Sequence, residues 1–198
     1  MQDEATEAAL RQAVDALERT GLLFMHDGRR PSLTALVAGK AIRGSWWGHP
    51  AGRRIFQVAS ELEDRGEVLF APLLSAKVTL VHRRLWPALV SVGEARAPWQ
   101  MEALTPLARE LLDSVERAGR VRASGPSSKA LARALLVHAE QVHTEAGSHA
   151  TELVSWAALR RAREVPGSLD QAAARHELEQ AAAGIDALAG LPWVRLRR

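Results

Sequence analysis

The chain repeats one order of predicted elements in its two halves, and this repetition constrains the fold more than any single motif. Residues 3–20 and 105–118 each carry apolar side chains at helical spacing and stop at a glycine, Gly21 or Gly119. A short apolar run, a second helix and a β-hairpin follow in both halves. Segments 15–21 and 31–36 resemble 113–119 and 126–131 in letters, at offsets of 98 and 95 residues.

Helix, short strand, helix and hairpin is the order of a winged helix, in which a helix pair packs on a small sheet. We therefore expect a mainly helical α+β fold with two tandem winged-helix-like units. The expected boundaries are 1–92 for the first unit, 93–100 for a linker, 101–163 for the second unit, and 164–198 for a C-terminal helix and basic tail. A single α+β domain without internal symmetry remains the alternative.

Two hairpins are predicted. The first spans 67–82 with a tip near 75–77, and Pro72 indicates that its first strand lies at a sheet edge or ends there, because proline cannot donate to the ladder. The second spans 141–154 around Ala146 and Gly147. Its register is open: a three-residue loop would set His149 opposite Glu145, and a two-residue loop would set it opposite Thr144.

Composition narrows the class of protein. The 198 residues are 47% apolar and 25% charged, as expected for a soluble globular chain. The absence of cysteine excludes a disulfide framework and a Cys-type zinc site. The acidic N-terminus and the lack of an apolar run of about 20 residues favour a cytoplasmic protein without a signal peptide or a membrane span. No Gly-rich phosphate loop or nucleophile motif is present, so no cofactor is implied.

The net charge is only +3, although the isoelectric point is near 10.1. Of the 26 basic residues all but three are arginine, and the chain has no tyrosine and no asparagine. This usage is typical of a GC-rich genome. Only local clusters of arginine therefore argue for a polyanionic partner.

One such cluster surrounds two adjacent tryptophans in segment 43–56. Adjacent residues cannot both face one core, so at least one indole is expected near the surface. The ring would stack on a base or fill a pocket of a protein partner, while arginines meet phosphates. A second cluster, 82–87, follows the first hairpin. The candidate nucleic-acid-binding residues are Arg43, Trp46, Trp47, His49, Arg53, Arg54, Lys77, Arg83 and Arg84. The alternative is structural: one indole of the pair and Trp86 pack in the core, beside solvated charges.

A third cluster has histidines and glutamates in segment 138–149. His138, His143, Glu145 and His149 are the candidate ligands of a metal-dependent hydrolase or nuclease, although their spacing matches no known motif. The competing interpretation is a polar hairpin face with a His–Glu hydrogen bond.

Three blocks carry a resemblance: RGSWWGHP at 43–50, VTLVHRRLWP at 78–87 and VHTEAGSH at 142–149. They resemble blocks of a group of uncharacterised bacterial proteins. The resemblance implies a bacterial source and brings no activity, cofactor or fold with it.

The sequence as a whole favours a nucleic-acid-binding protein, with DNA the expected polymer, over an enzyme. The alternatives are the metal-dependent hydrolase or nuclease and a protein–protein interaction module. In the last case the tryptophan pair would seat the partner, and the apolar C-terminal helix would mediate a homodimer.

Overall fold

The computed structural model describes residues 2–143 and 149–195. They form an α+β structure that is mainly helical, so the predicted fold class is confirmed at that level. The helices are α1 Gln2–Thr20, α2 Leu33–Ala38, α3 Gly52–Asp64, α4 Trp86–Glu94, α5 Pro98–Met101, α6 Pro106–Ala118, α7 Pro126–Arg133, α8 Trp156–Ala162, α9 Gln171–Ala183 and α10 Pro192–Arg195. The strands are β1 Leu22–Phe24, β2 Val68–Leu74, β3 Lys77–His82, β4 Arg120–Arg122, β5 His138–His143 and β6 His149–Val154.

Two three-stranded antiparallel sheets have the same strand order, β1-β3-β2 in the first half and β4-β6-β5 in the second. The junction before each sheet is also the same. Gly21 and Gly119 have φ of +75° and +77°, the left-handed conformation that glycine adopts readily. Their carbonyls accept hydrogen bonds from the N–H groups of His82 and Ser155, both at 2.9 Å. The two halves therefore share a topology as well as an element order.

The halves differ between the first strand and the hairpin. In the first half this interval holds two helices, α2 and α3, whereas in the second half it holds α7 alone. The sequence pattern predicts a helix from 126 to about 137, but α7 ends at Arg133, and Leu135 takes a positive φ of 55° in the turn that follows. Segment 39–64, which contains the tryptophan pair, has no counterpart among the described residues of the second half.

The first sheet is buried on both faces. Leu23, Val68 and Leu80 pack with α1, α2 and α3 on one side. Leu22 and Val81 point the other way, because side chains alternate along a strand, and join a core that includes α4 and α9. Strand β2 lies at the sheet edge as predicted.

The second sheet is buried on one face and charged on part of the other. Leu153 packs with α6 and α7. On the opposite face Glu140 and Glu152 are direct cross-strand neighbours, an arrangement that is destabilising for like charges. The Arg120 guanidinium offsets the repulsion by donating to both carboxylates, at 3.2 and 2.6 Å.

A common core joins the two halves, and the predicted linker is part of it. Gly93 is buried within α4, where a Cβ atom would lie 2.2 Å from Nε1 of Trp156. That indole donates a 2.7 Å hydrogen bond to the Leu135 carbonyl. Gln100, in α5, is also buried. Segment 93–100 is therefore a helical, packed connection, because its small residues admit close contact with the second half.

The C-terminal region differs from the prediction in two ways. The spacing of Ser168 and Gln171 predicts a capping box at Ser168, but α9 begins after Asp170, whose carboxylate accepts from the N–H groups of Ala172 and Ala173. Trp193, expected in a basic tail, is buried and donates to Glu179 at 2.7 Å. The apolar face of α9, with Leu178 at its centre, packs on α4 within the chain. That face is therefore already covered.

The two hairpins close differently. The first has the two-residue tip Ser75–Ala76, and both residues have φ of 56°, as a tight hairpin turn requires. In the second, His143 pairs with His149, so neither proposed register of His149 is formed. Strand β5 starts at His138, three residues earlier than the predicted hairpin. Residues 144–148, including Glu145, lie outside the described part of the chain. None of the described helices has the length and apolarity needed to cross a membrane.

Candidate functional site

The two adjacent tryptophans have opposite environments. Trp46 is 8% exposed and packs in the core of the first half with residues such as Ile42 and Ile55. Trp47 is 69% exposed. Their rings stack, with centroids 4.0 Å apart and planes inclined by 23°. The expectation that one indole lies at the surface is thus confirmed for Trp47. Trp46 is a core residue.

Phe56 extends the exposed aromatic area, and the sequence analysis missed it. Its ring centroid is 6.4 Å from that of Trp47, and the side chain is 48% exposed. A signal was present in the sequence: the buried stripe of α3 is Ile55, Val58, Ala59 and Leu62. Position 56 falls outside that stripe at 3.6 residues per turn, so it had to face solvent.

Backbone contacts hold the tryptophan segment against the start of α3. The His49 N–H donates to the Trp46 carbonyl at 3.1 Å, and the Gly52 N–H donates to the His49 carbonyl at 2.7 Å. The His49 Nδ1 accepts from the Ala51 N–H at 3.1 Å. A Cβ atom at Gly52 would lie 3.0 Å from the carbonyl oxygens of both tryptophans. Gly52 therefore permits the close approach, and the His49 ring takes part in the turn that precedes α3.

Three arginines lie in the same segment as the exposed rings. Arg43 and Arg53 are exposed and Arg54 is half-buried. None of the three side chains forms an ion pair or a hydrogen bond with another described residue. Arg53 and Arg54 lie in the first turn of α3, where the helix dipole adds positive potential. We define the Trp47 surface as Arg43, Trp47, Arg53, Arg54 and Phe56.

Lys77 has a partner within the chain. Its Nζ lies 2.7 Å from the Asp27 carboxylate, which also accepts from the N–H groups of Arg29 and Arg30. Burial opposes ionisation of Asp27, but the Lys77 ammonium and the backbone donors outweigh it and lower the carboxyl pKa to about 2. The lysine therefore closes a turn next to the hairpin tip.

Arg83 lies at the far end of α3 from the tryptophans. Its N–H donates to the Glu67 carbonyl at 2.9 Å, and its guanidinium lies 3.4 Å from the Glu67 carboxylate. Glu67 follows the C-terminus of α3, whereas Arg53 lies at the N-terminus, and a helix of 13 residues is about 20 Å long. The two basic clusters of the sequence are therefore not brought together through Arg83.

Arg84 belongs to a different depression. Its guanidinium covers Gly21, where an added Cβ would lie 2.7 Å from Nη2, and the surrounding groove includes Arg19, Glu177 and Gln180. The neighbouring Trp86 is buried and donates to the Val81 carbonyl at 2.9 Å, as the structural alternative predicted.

The histidine cluster is not assembled as a metal site by the described residues. His138 is 3% exposed, and burial together with the guanidinium groups of Arg163 and Arg120 lowers its pKa to about 4. It begins β5 while His143 ends it, a separation of roughly 17 Å along a strand. No group of three candidate ligands occurs in the described part of the chain. His138 is thus a core residue, and it lies at the end of β5 that is remote from the hairpin tip.

Comparison with known protein families, curated proteins and solved structures gives no match for the chain. Function must therefore be argued from the site itself.

Proposed function

We propose that this protein binds nucleic acid, with DNA the expected polymer, through the Trp47 surface. One observation carries the proposal: an exposed aromatic pair and three arginines that have no carboxylate partner among the described residues occur within one segment, 43–56. Aromatic rings offer stacking area to bases, and unpaired guanidinium groups offer bidentate donors to phosphates.

The electrostatics of α3 support an anionic ligand at this end of the helix. The first turn carries Arg53 and Arg54 and no acidic residue, and the positive end of the helix dipole attracts phosphate. At the other end of the same helix stand Glu63 and Asp64. The charge gradient favours contact through the N-terminal end.

The architecture is consistent with this use. We propose that residues 1–92 form a winged-helix-like unit, with α3 as the helix before the hairpin, and that 101–163 form a second unit on the same plan. The shared strand order and the matching Gly21 and Gly119 junctions support the duplication. A winged helix presents this helix to DNA, and here it carries the Trp47 surface.

The proposed contact set is smaller than the sequence-based one. Lys77 and Arg83 are paired with Asp27 and Glu67, and Arg84 lies in the groove beside Gly21. Trp46 supports the surface by stacking on Trp47, and the His49 N–H donates to the Trp46 carbonyl. The residues that we propose to meet the ligand are those of the Trp47 surface alone.

Fluorescence anisotropy with a labelled oligonucleotide, at about 50 mM salt and then in a salt series, tests the proposal. Each phosphate neutralised contributes about 0.7 to 0.9 to the slope of log K against log salt. We expect the double variant Arg53→Ala/Arg54→Ala to bind more weakly and to lose about one to two units of slope.

The matched control is Arg133→Ala/Arg161→Ala, which removes two exposed arginines of the second half that also lack described ion pairs. It should bind as the parent does. Absence of measurable affinity for either DNA or RNA at low salt would overturn the proposal, and capture of a protein by the parent but not by Trp47→Ala would favour an interaction module instead.

A further inference from the structure

We infer that the ligand of the Trp47 surface is a single-stranded or locally unpaired stretch of DNA, one base of which stacks on the outer face of Trp47. This inference rests on the proposed function and specifies its substrate. It follows from how the ring is held and from the charges around it.

Only one face of the Trp47 indole is open. Trp46 covers the inner face at a centroid distance of 4.0 Å and an inclination of 23°. With that face covered, an exposed fraction of 69% must come from the outer face and the ring edge. Phe56 lies beside the indole, tilted by 42° at 6.4 Å. The outer face is therefore available for a planar ligand.

The ring is held ready for stacking. Trp46 is anchored in the core, and Gly52 packs against the carbonyls of both tryptophans. The His49 N–H fixes the Trp46 carbonyl from the other side. A base that stacks on Trp47 extends an existing stack of two indoles, so little side-chain entropy is lost on binding.

An intact duplex does not present what this surface recognises. In a duplex the base faces are covered by neighbouring bases, and the grooves present only the base edges. Trp47 and Phe56 offer stacking area, with the indole N–H as the single polar group between them. Such a platform matches an unpaired base, for which aromatic stacking is the dominant contact.

The charge distribution also limits the footprint. Along the exposed side of α3, Arg53 is followed by Gln57, and then by the acidic residues Glu61 and Asp64. Glu61 is paired with Arg65 at 2.7 Å. A duplex laid along the helix would bring its phosphates against Asp64. A single strand that crosses the N-terminal end meets Arg43, Arg53 and Arg54 and avoids this repulsion.

Anisotropy titrations with three labelled DNAs test the inference: a 15-nucleotide single strand, the blunt duplex of the same sequence, and a hairpin whose loop is unpaired. We expect the single strand and the hairpin to bind at least about tenfold more tightly than the duplex at equal salt. A stacked base contributes about 1–3 kcal/mol, so Trp47→Ala should weaken single-strand binding about 5- to 150-fold. Trp47→Phe should retain most of the affinity because the stacking face remains.

Leu107→Ala is the matched control, since Leu107 is an equally exposed apolar residue, 66% accessible, on α6 of the other half. It should bind as the parent does. Indole fluorescence gives a second readout: the single strand should quench the parent, and Trp47→Phe should lose most of that quenching.

The two proposals fail separately. If the duplex binds as tightly as the single strand and Trp47→Ala weakens both equally, the stacking inference is overturned while nucleic-acid binding stands. If neither DNA nor RNA binds at low salt, the proposed function falls and this inference falls with it.

Discussion

The two halves of the molecule share a plan but not a surface. Each has a helix, a left-handed glycine, an edge strand and a hairpin, with the same strand order. The first half inserts 39–64 between its short helix and its hairpin, and this segment carries the stacked tryptophans and three arginines that have no ion-pair partner among the described residues. The second half passes from α7 to β5 through a short turn, and on its sheet Arg120 pairs with Glu140 and Glu152.

The difference between the halves lies in where their aromatic and charged side chains are placed. In the second half, Arg120 pairs with two glutamates and Trp156 packs into the common core. In the first half, Trp46 anchors an added segment, and that segment exposes Trp47. We therefore expect ligand binding to depend on the first half and the joint between the halves to govern stability.

Replacing the anchor should have the largest effect. Trp46→Ala removes a buried indole, which typically costs about 3–5 kcal/mol of unfolding free energy. Trp47→Ala removes an exposed ring and should cost less than about 1 kcal/mol. Urea denaturation of both variants measures the contrast, and equal losses would mean that the two indoles do not have the separate roles assigned to them.

Filling the space at Gly93, where the two halves meet, should have the second-largest effect on stability. A Cβ atom at position 93 would meet the Trp156 indole at 2.2 Å, so Gly93→Ala must displace that ring from the common core. We expect a loss of about 3 kcal/mol, the upper range for an overpacked core. Gly28→Ala, at a glycine with open space around it, is the control and should change stability little. A Gly93→Ala protein as stable as the control would show that the halves are not tightly joined.

Acid should act through one buried histidine in each half. Burial lowers the pKa of His82, whose Nε2 lies 3.6 Å from Glu67, and lowers that of His138 to about 4. The unfolded chain binds these protons from about pH 6.5 downward, while the folded chain does not. Stability is therefore complete above about pH 6.5 and falls as the pH drops toward 4.

For His138 this linkage amounts to about 2 kcal/mol at about pH 5, at roughly 1.4 kcal/mol for each unit of pKa difference. Denaturation midpoints of the parent and His138→Gln at several pH values measure it. The variant should lose that part of the pH dependence, and His176→Gln, at an exposed position on α9, should keep it. An unchanged pH profile in His138→Gln would contradict a neutral buried imidazole.

The smallest expected effect is the difference in stability between alanine substitutions at the two equivalent glycines, Gly21 and Gly119. Both have positive φ, so an alanine is strained by about 1–2 kcal/mol at either position. At Gly21 the added methyl group also meets Arg84 and Leu85 at 2.7 Å, whereas at Gly119 the nearest atom, the Ala158 Cβ, is 3.5 Å away. Gly21→Ala should therefore be the more destabilising by about 1 kcal/mol in parallel urea titrations. A reversed order would break the correspondence between the junctions.

The local elements could be predicted because they depend on short-range patterns. Helical spacing located α1 and α6, a polar tip between apolar runs located the first hairpin, and Pro72 indicated the edge position of its first strand. The letters also showed that two adjacent indoles could not share one core. The same helical periodicity could also have predicted the exposure of Phe56, because position 56 falls outside the buried stripe of α3.

Other features depended on contacts between distant segments. The register of β5 and β6 placed His138 in the core and His143 opposite His149, which loop length alone could not fix. Lys77 was drawn to Asp27, 50 residues away in sequence, and Arg83 to Glu67. An ion pair across such separations exists only once the sheet has brought the segments together.

The sequence by itself determined the repeated order of elements and the presence of an aromatic, arginine-rich segment in the first half. The tertiary structure alone decided which indole became the anchor and which the exposed face, and which arginines kept their charge free. The physical reason is the sequence separation of the interacting residues. Periodicities of 2 or 3.6 residues are visible in a short stretch of sequence, whereas burial and charge pairing depend on contacts between residues that are distant in sequence.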